Sequence, residues 1–449
     1  MNENMRLPEG VLAVIERLNA AGYEAYAVGG CVRNFLLGLT PKDYDVTTSA
    51  KPEETKAVLE GFRTIDTGIK YGTITVISDG MPIEVTTYRV DGEYTDNRRP
   101  DSVLFTTRLA EDLKRRDFTV NAMAYNPRTG FVDIFGGRED LKNGIIRAIG
   151  DPDERFNEDG LRILRALRFA SCYGLHIEPH TAGSIHRKRQ LLENIAGERI
   201  AAELNRLLCG ECAGVLREYY DVISVFLPEF ANCHGFDQHT KYHDRDVLEH
   251  ILATVEAIEP EVYLRMTMLL HDIGKPLYFT MGADGVGHFK GHAKGSMVIA
   301  GALLKRLKYS TAITERVLKL IETHDIIIEN REPLIKRYMN RYGEEMFMDI
   351  IKVHIADDMG KAPSGRGRIK MYEECRETAE KIIAGRECFS LKQLAVNGRD
   401  IMALGYTGKD VGEKLKFLLE LVIDGKCENE KKALLAQLKE RKETERNTQ

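Results

Sequence analysis

Apolar residues run unbroken from Ala25 to Val28, stop at Gly29-Gly30, and resume as an amphipathic stretch to Leu37. This pattern predicts a short buried strand that turns into a helix at the glycines. Alternation follows. In Asp43-Tyr44-Asp45-Val46 an extended backbone puts both carboxylates on one face and Tyr44 on the other. A second alternating run, Met81 to Tyr88, pairs with Thr73 to Ile77 across an Asp79-Gly80 turn, and its polar face carries Glu84, Thr86 and Tyr88. From Asp159 the period changes to that of a helix. Arg162, Arg165 and Arg168 step along one face, and Ile163, Leu164, Leu167 and Ala170 hold the opposite one. Taken alone, this is a solvated basic face with an Asp159–Arg162 pair one turn apart. After residue 236 the pattern is helical throughout. A run from Arg245 to Ile258 is followed by the apolar helix Tyr263 to Leu270, which His271-Asp272 ends and Ile273-Gly274-Lys275-Pro276 stops. A basic, breaker-rich loop, Gly360 to Arg368, precedes a helical end, and Asn429 to Arg446 reads as a charged amphipathic helix.

Chemistry enters at the first of these turns. Lacking Cβ, Gly29 and Gly30 let backbone N–H groups approach a triphosphate closely. Asp43 and Asp45, facing the same way, suit Mg²⁺, and Glu84 is the candidate third carboxylate for two-metal chemistry. An Asp–Arg pair has a further use. A carboxylate accepts from the exocyclic amine of cytosine or adenine and a guanidinium donates to the adjacent ring nitrogen, whereas uracil and guanine present the reverse pattern. One such pair admits CTP and ATP together.

The order Gly29-Gly30-Cys31-Val32-Arg33-Asn34, Asp43-Tyr44-Asp45, Arg98-Arg99-Pro100-Asp101, Arg115-Arg116-Asp117-Phe118-Thr119-Val120-Asn121-Ala122, Glu158-Asp159-Gly160-Leu161-Arg162, and Glu198-Arg199-Ile200 with Glu203-Leu204 resembles the successive motifs of the bacterial-type tRNA nucleotidyltransferase and poly(A) polymerase family, the class II CCA-adding enzymes. The family usually has Asp where this chain has Asn34. The resemblance implies that Asp43 and Asp45 hold Mg²⁺, that Gly30, Arg33 and Arg116 meet the nucleotide beside Gly29, that Asp159 and Arg162 read the base, and that Arg165 and Arg168 support binding. Leu394 to Gly405 and Val411-Gly412-Glu413 are similar to the C-terminal body of the same enzymes.

Most of the 12 histidines fall in the third of the chain that starts near residue 236. A cluster of His with adjacent Asp calls for a metal hypothesis. The pattern His250, His271-Asp272-Ile273-Gly274-Lys275-Pro276, then Asp357 resembles the HD superfamily of metal-dependent phosphohydrolases. That resemblance implies His250, His271, Asp272 and Asp357 as ligands, with His292 and His324 for a second metal or for phosphate contact. Such a site suits Ni²⁺, Co²⁺, Mn²⁺ or Fe²⁺.

Composition narrows the picture. With 449 residues, 43% hydrophobic and 30% charged, the chain suits a globular protein of three or four domains. The net charge of −5 confines any RNA-binding surface to a local patch. No apolar run reaches membrane-spanning length and the first residues are no signal peptide, so a cytoplasmic protein without membrane contact is expected. Of the eight cysteines only Cys209 and Cys212 have ligand spacing, and they read as packing residues.

The expected fold is α+β: a small mixed-sheet nucleotidyltransferase head (1–148), then an all-helical neck (149–235), HD region (236–360) and C-terminal RNA-binding body (361–449). The expected reaction transfers CMP and AMP from CTP and ATP to the 3′ end of tRNA without a template, and no obligate protein partner is evident. Three alternatives stay open: a poly(A) polymerase or partial CC- or A-adding enzyme, an HD phosphohydrolase whose head only binds nucleotide, and, least favoured because no aromatic-rich platform is present, a pure RNA-binding module.

Overall fold

The structure, a computed structural model, describes residues 4–92 and 102–447. The Arg98-Arg99-Pro100-Asp101 segment lies outside the described residues. The chain divides into two compact units, Met1–Ala231 with Arg306–Lys308, and Asn232–Lys305 with Tyr309–Gln449.

The first unit is built on a seven-stranded mixed sheet. Its strands in chain order are β1 (Ala25–Val28), β2 (Asp45–Thr48), β3 (Arg63–Gly68), β4 (Thr73–Ser78) and β5 (Met81–Thr87). A separate hairpin, β6 (Arg89–Asp91) with β7 (Val103–Phe105), follows, and β8 (Met123–Asn126) and β9 (Gly130–Asp133) complete the sheet. The spatial order is β3-β4-β5-β2-β1-β8-β9. The expected hairpin forms, with β4 and β5 antiparallel from Thr73↔Thr86 to Ser78↔Met81. β2 runs parallel to β5 and antiparallel to β1, so Asp45 stands opposite both Val28 and Glu84. This register is what matters for function: the end of β1, where the chain turns at Gly29, the first residue of β2, and Glu84 form one row across three strands. The helix Glu9–Ala20 buries Val11, Val14, Ile15 and Leu18, and the row rests on a core of Val28, Leu113, Ala122, Ala124 and Ile149.

One side of the β5 pattern differs from expectation. Glu84 is exposed, but Tyr88 is fully buried, because the strand ends at Thr87 and the chain turns inward there. The remainder of this unit is helical apart from a two-stranded parallel pair, β10 (Ile145–Ile146) with β11 (His176–Ile177), so the neck is not all-helical. Its main helices, Leu161–Tyr173 and Gly197–Leu208, pack on one another.

The second unit is helical, again with one short hairpin, β12 (Thr280–Met281) with β13 (Gly287–His288). Helices Val247–Ala257, Val262–Leu270, Thr311–Thr323 and Glu344–Gly360 pack together. At the end of the last of these, a Cβ on Gly360 would come 2.5 Å from Thr254 Cγ2 and 3.1 Å from His250 Nδ1, so only glycine allows the approach. A second core, with Ile401, Leu418, Leu434 and Leu438 at its centre, organises the C-terminal helices Lys409–Ile423 and Lys431–Asn447. No described helix is long and apolar enough to cross a membrane.

Asp112, fully buried in the helix Leu109–Lys114, ties that helix to the sheet. It accepts from Thr47 Oγ1 of β2 at 3.0 Å, Arg115 Nε at 3.0 Å and Arg116 Nη2 at 3.3 Å. Burial opposes its ionisation, but Arg116 and Arg115 outweigh that and hold its pKa below the usual carboxylate value. Because the folded pKa is depressed, the stabilisation is complete above the unfolded value of about 4 and is lost as pH falls toward the folded one. Asp112→Ala should cost the first unit about 3 kcal/mol or more at pH 7, since it strands Arg116 and removes the nearer of the two carboxylates that Arg115 pairs with. Chemical-denaturation midpoints should show that deficit constant above about pH 4 and narrowing below it.

Candidate active site

A cavity of about 1050 Å³ opens in the first unit where the β1 turn faces the helix Leu161–Tyr173. Gly29 adopts φ +77°, and a Cβ there would come 3.2 Å from Arg116 Nη1. Glycine at this position is thus required twice, by the backbone and by the guanidinium beside it. Gly30 opens the helix Gly30–Leu36, and a Cβ on it would come 3.7 Å from Arg33 Nη2. Two guanidinium groups therefore flank the glycine turn.

Asp43 and Asp45 are exposed on either side of buried Tyr44 and both line the cavity. Burial raises the Asp45 pKa; Arg116 pulls it down, and the charges of Glu84 and Asp43 push it up further. Asp43 and Asp45 in the wall of the cavity are donors for a hard divalent cation, whereas Glu84, whose charge reaches Asp45, is not among the residues that line it. Glu84 lies one strand away from Asp45 in register. Cys31, also in the wall, has its thiol pushed up to about 11 by burial and by Asp45, so it is not a nucleophile at neutral pH.

The predicted basic helix face is present but is neither solvated nor unpartnered. Arg162 and Arg168 are buried. The expected Asp159–Arg162 pair does not form. Asp159 Oδ2 instead accepts from Arg199 Nη2 at 2.9 Å and its Oδ1 from the Leu161 N–H at 3.1 Å, while Arg162 Nη1 reaches Glu158 Oε2 at 2.5 Å. Asp159 is the last residue before the helix turn and points away from its i+3 neighbour, which explains the difference. Arg162 also donates to the Arg155 and Arg115 carbonyls at 3.1 and 3.0 Å. Arg165 pairs with Asp117 at 2.5 Å and Arg168 with Glu203 at 3.1 Å. Burial opposes ionisation of Asp117, yet Arg165 and Asn121 hold it well below the ordinary carboxylate range. Gly29, Gly30, Arg33, Asp43, Asp45, Arg116, Asp159, Arg162, Arg165 and Arg168 thus share one cavity.

Sequence reasoning missed the anchors behind these arginines: Asp117, Asn121 and Tyr173. Asp117 and Asn121 stand four apart in the stretch that carries Arg116, and Tyr173 stands one turn after Phe169. Those spacings were the available signal.

A second cavity, of about 640 Å³, belongs to the second unit. His250 comes from the helix Val247–Ala257, His271 and Asp272 from the end of Val262–Leu270, and Asp357 from Glu344–Gly360; their ligand atoms lie within 4.8 Å of one another. A second group, Asp272, His292 and His324, meets the same criterion. Asp272 joins the two. Its Oδ2 is 3.1 Å from His250 Nε2 and 3.2 Å from His271 Nε2, and its Oδ1 is 3.1 Å from His292 Nε2. Backbone carbonyls fix the rings from behind, Met268 at His271 Nδ1, Phe289 at His292 Nδ1 and Ile321 at His324 Nδ1, each 2.7 to 2.8 Å, which leaves every Nε2 aimed inward. Lys275 and Lys361 pair with Asp272 and Asp357 at 2.6 Å each. Burial alone would lower the His271 pKa, but Asp272 and Asp357 raise it to about 9. By contrast His243, which precedes the helix Val247–Ala257, is half-buried against His250, and its pKa falls to about 2. The ring nitrogens and shared carboxylate suit a borderline transition metal rather than Mg²⁺. The loop after Gly360, expected only as a separator, supplies Lys361, Ser364 and Arg368 to this cavity.

Comparison with known proteins agrees with the geometry of the first cavity. Residues 25–147 match the poly A polymerase head domain, 174–233 the probable RNA and SrmB-binding site of polymerase A, and 292–438 the putative domain 2 of tRNA nucleotidyltransferase. A CCA-adding enzyme of Streptococcus suis is 34% identical over 432 residues, which is 95% of each chain. The crystal structure of Bacillus stearothermophilus CCA-adding enzyme in complex with CTP is 30% identical, with a TM-score of 0.75 over 99% of this chain and 100% of that one. A Thermotoga maritima CCA-adding enzyme complexed with tRNA shares the fold, with a TM-score of 0.57 at 21% identity over 95% of this chain and 94% of that one. The likeness runs through both units rather than stopping at the glycine turn, and the chain belongs to the CCA-adding enzyme family.

Proposed function

We infer that this chain adds and repairs the CCA end of tRNA: it transfers CMP and AMP from CTP and ATP to the 3′ end without a template and releases pyrophosphate. What carries the reading is one cavity that holds a glycine turn, two carboxylates and the 159–168 arginine helix, in a chain similar over nearly its full length to CCA-adding enzymes. That full-length likeness favours CCA addition over a poly(A) polymerase and over a head that merely binds nucleotide.

We propose the following roles. Arg33 and Arg116, flanking the glycine turn, bind the triphosphate; Arg165 and Arg168 add positive potential deeper in the cavity. Asp43 and Asp45 hold Mg²⁺, and Glu84 adds negative charge from the neighbouring strand. When bound, Mg²⁺ favours ionisation of the attacking 3′-hydroxyl and neutralises charge at the α-phosphate. The new P–O bond forms to that phosphate as the bond to the β-phosphate breaks. Asp159, already fixed by Arg199 and the Leu161 amide, retains lone pairs for the exocyclic amine of cytosine or adenine. Arg162, with Nη1 and part of Nη2 engaged, presents its remaining N–H groups to the ring nitrogen. We assign residues 1–148 to the head, 149–235 to the neck, 236–360 to the HD region and 361–449 to the RNA-holding body, acting on tRNA in the cytoplasm.

A second activity is supported by the two ligand groups that share Asp272. We propose that His250, His271, Asp272 and Asp357, with His292 and His324, hold one or two ions of Ni²⁺, Co²⁺, Mn²⁺ or Fe²⁺ and that this centre hydrolyses a phosphate ester. A metal bound there polarises the phosphoryl oxygens and lowers the pKa of a bound water. Lys275 and Lys361, each paired with a ligand carboxylate, and Arg368 supply donors for phosphate oxygens in a lining that also carries Asp325 and Asp358.

Replacing Asp45 with Ala should reduce nucleotide addition by about three orders of magnitude or more while tRNA binding persists; near-normal turnover in single-turnover assays would remove Asp45 from catalysis. Asp159→Ala should weaken CTP and ATP use together and raise UTP and GTP misincorporation on tRNA lacking its terminal nucleotides. Unchanged selectivity would move base reading elsewhere. His271→Ala or Asp272→Ala should abolish hydrolysis of 2′,3′-cyclic nucleotides and nucleoside phosphates and leave tailing largely intact. Wild-type protein without bound transition metal, and without hydrolysis under added Ni²⁺ or Mn²⁺, would reduce the region to a structural part of the body.

A further inference from the structure

Eight arginines line the nucleotide cavity, and seven of them are tied in place. Arg115 and Arg116 pair with Asp112, Arg162 with Glu158, Arg165 with Asp117, Arg168 with Glu203 and Arg199 with Asp159, while Arg33 donates to Asn34, Asn121 and Tyr173. Arg206 differs. It is exposed, and among the described residues its guanidinium has neither an ion pair nor a hydrogen bond. Lys42, the other cation of the lining without such a tie among these residues, adjoins Asp43 and belongs with the Mg²⁺ carboxylates. The charge of Arg206 is felt nearby. Burial lowers the Arg168 pKa, Glu203 opposes this, and the charges of Arg165 and Arg206 lower it further.

The backbone beneath Arg206 is as fixed as its side chain is free. The Arg206 carbonyl accepts from Cys172 Sγ at 3.2 Å, the Leu207 carbonyl accepts from Ser171 Oγ at 2.7 Å, and the Glu211 N–H donates to the Ser171 carbonyl at 3.0 Å. A Cβ on Gly210 would come 2.4 Å from Ser171 Oγ, so glycine is needed for the approach. The end of the helix Gly197–Leu208 is thereby locked to the end of the helix Leu161–Tyr173. That end is the one away from Asp159: Arg162 and Cys172 are separated by about 15 Å of helix. Arg206 thus stands on a rigid mount, at the far end of the arginine helix from the base-reading residues.

The reaction brings two polyanions into one cavity, and they place different demands on it. The nucleotide has the same triphosphate each time and must be selected, which suits groups held by a frame of ion pairs. The acceptor differs at every step. Its last base changes as C, C and A are added, so a contact that serves every step must ignore the base and meet the phosphate backbone. A long, solvated, unanchored guanidinium does this. We propose that Arg206 is the cavity's contact to the acceptor strand, a base-independent grip on a backbone phosphate near the growing 3′ end of tRNA, and that it does not bind the nucleotide. The proposal rests on the reading of this cavity as the site of CCA addition.

The test uses the full chain, tRNA lacking one, two or three terminal nucleotides, and CTP and ATP. Arg206→Ala should raise KM for each tRNA by about fivefold to tenfold and leave KM for CTP and ATP and Ki for pyrophosphate in place. In equilibrium binding of the same tRNAs over a KCl series, its log Kd should depend on log salt with a slope smaller by about 0.7, the share of one single-strand phosphate. Arg206→Lys, which keeps the charge, should restore most of that slope. Acceptors carrying one uncharged methylphosphonate among their last three linkages locate the phosphate: at one linkage the wild type should lose what Arg206→Ala loses, and the variant should lose nothing more. The proposal is overturned if Arg206→Ala raises KM for CTP and ATP and leaves the tRNA terms unmoved, which would make Arg206 a triphosphate contact. It is overturned equally if only the thermal midpoint falls, which would make Arg206 a cation that serves its helix C-terminus. Wild-type protein that adds neither CMP nor AMP to any of the three tRNAs would remove the reading of the cavity itself.

Discussion

The first unit is organised by the problem of holding many guanidinium groups around one cavity in a chain whose net charge is −5. Left alone, neighbouring arginines would repel one another and the nucleotide would be needed to hold the fold together. The chain avoids this by placing a carboxylate behind each of five cations, Asp112, Asp117 and Glu203 being buried and Glu158 and Asp159 half-buried. Those carboxylates come from different elements: Asp112 from the helix after β7, Asp117 from the loop beyond it, Glu158 from the end of the helix Pro152–Glu158, Asp159 from the boundary that follows it, and Glu203 from the helix Gly197–Leu208. The ion pairs are therefore also the ties between elements. Burying such pairs gives little net stability, but losing one partner is expensive, so they specify the arrangement more than they stabilise it.

The two candidate metal sites follow the donor chemistry of their units. In the first, Asp43 and Asp45 stand exposed where the central strand β2 begins, a place where a hard cation could keep part of its water and meet phosphate. In the second, imidazoles converge from separate helices and are almost fully buried, with a backbone carbonyl behind three of the rings. That second arrangement needs close helix approach, and Gly360 against Thr254 and His250 is where it is permitted. Asp272, placed where one helix ends, reaches both ligand groups with its two oxygens, so a single residue couples two metal positions.

Local patterns made much of this legible. The Ala25–Val28 strand, the glycine turn, the β4–β5 hairpin and the helical His-rich unit follow from period and punctuation, because each is decided within about ten residues. Tyr88 was misread because alternation is a rule for strand interiors, and Tyr88 lies just past the end of β5. The Asp159–Arg162 pair was misread for a similar reason: the i,i+3 rule presumes that both residues are helical, and Asp159 has the extended backbone of a helix boundary, φ −142° and ψ 103°. Asp117 and Glu203 stand inside the motifs quoted above, but which arginine each would pair with was not legible. They lie 48 and 35 residues from their arginines, and no local pattern carries a contact at that range.

Choosing a nucleotide without a template places a demand on rigidity that the Asp159 environment meets. An exposed carboxylate rotates freely and accepts from any donor, so it discriminates poorly. Asp159 is fixed on one oxygen by the Arg199 guanidinium and on the other by the Leu161 amide, which leaves its unused lone pairs pointing in set directions. Arg162 is likewise held by two carbonyls and Glu158. On the base-reading role proposed for them, residues pinned in this way would not turn to suit uracil or guanine, and rejection would come from polar groups left unpaired, which is a stronger discriminator than shape. On that proposal, the ion pairs that hold Arg162 and Arg199 would set selectivity as well as neutralise charge.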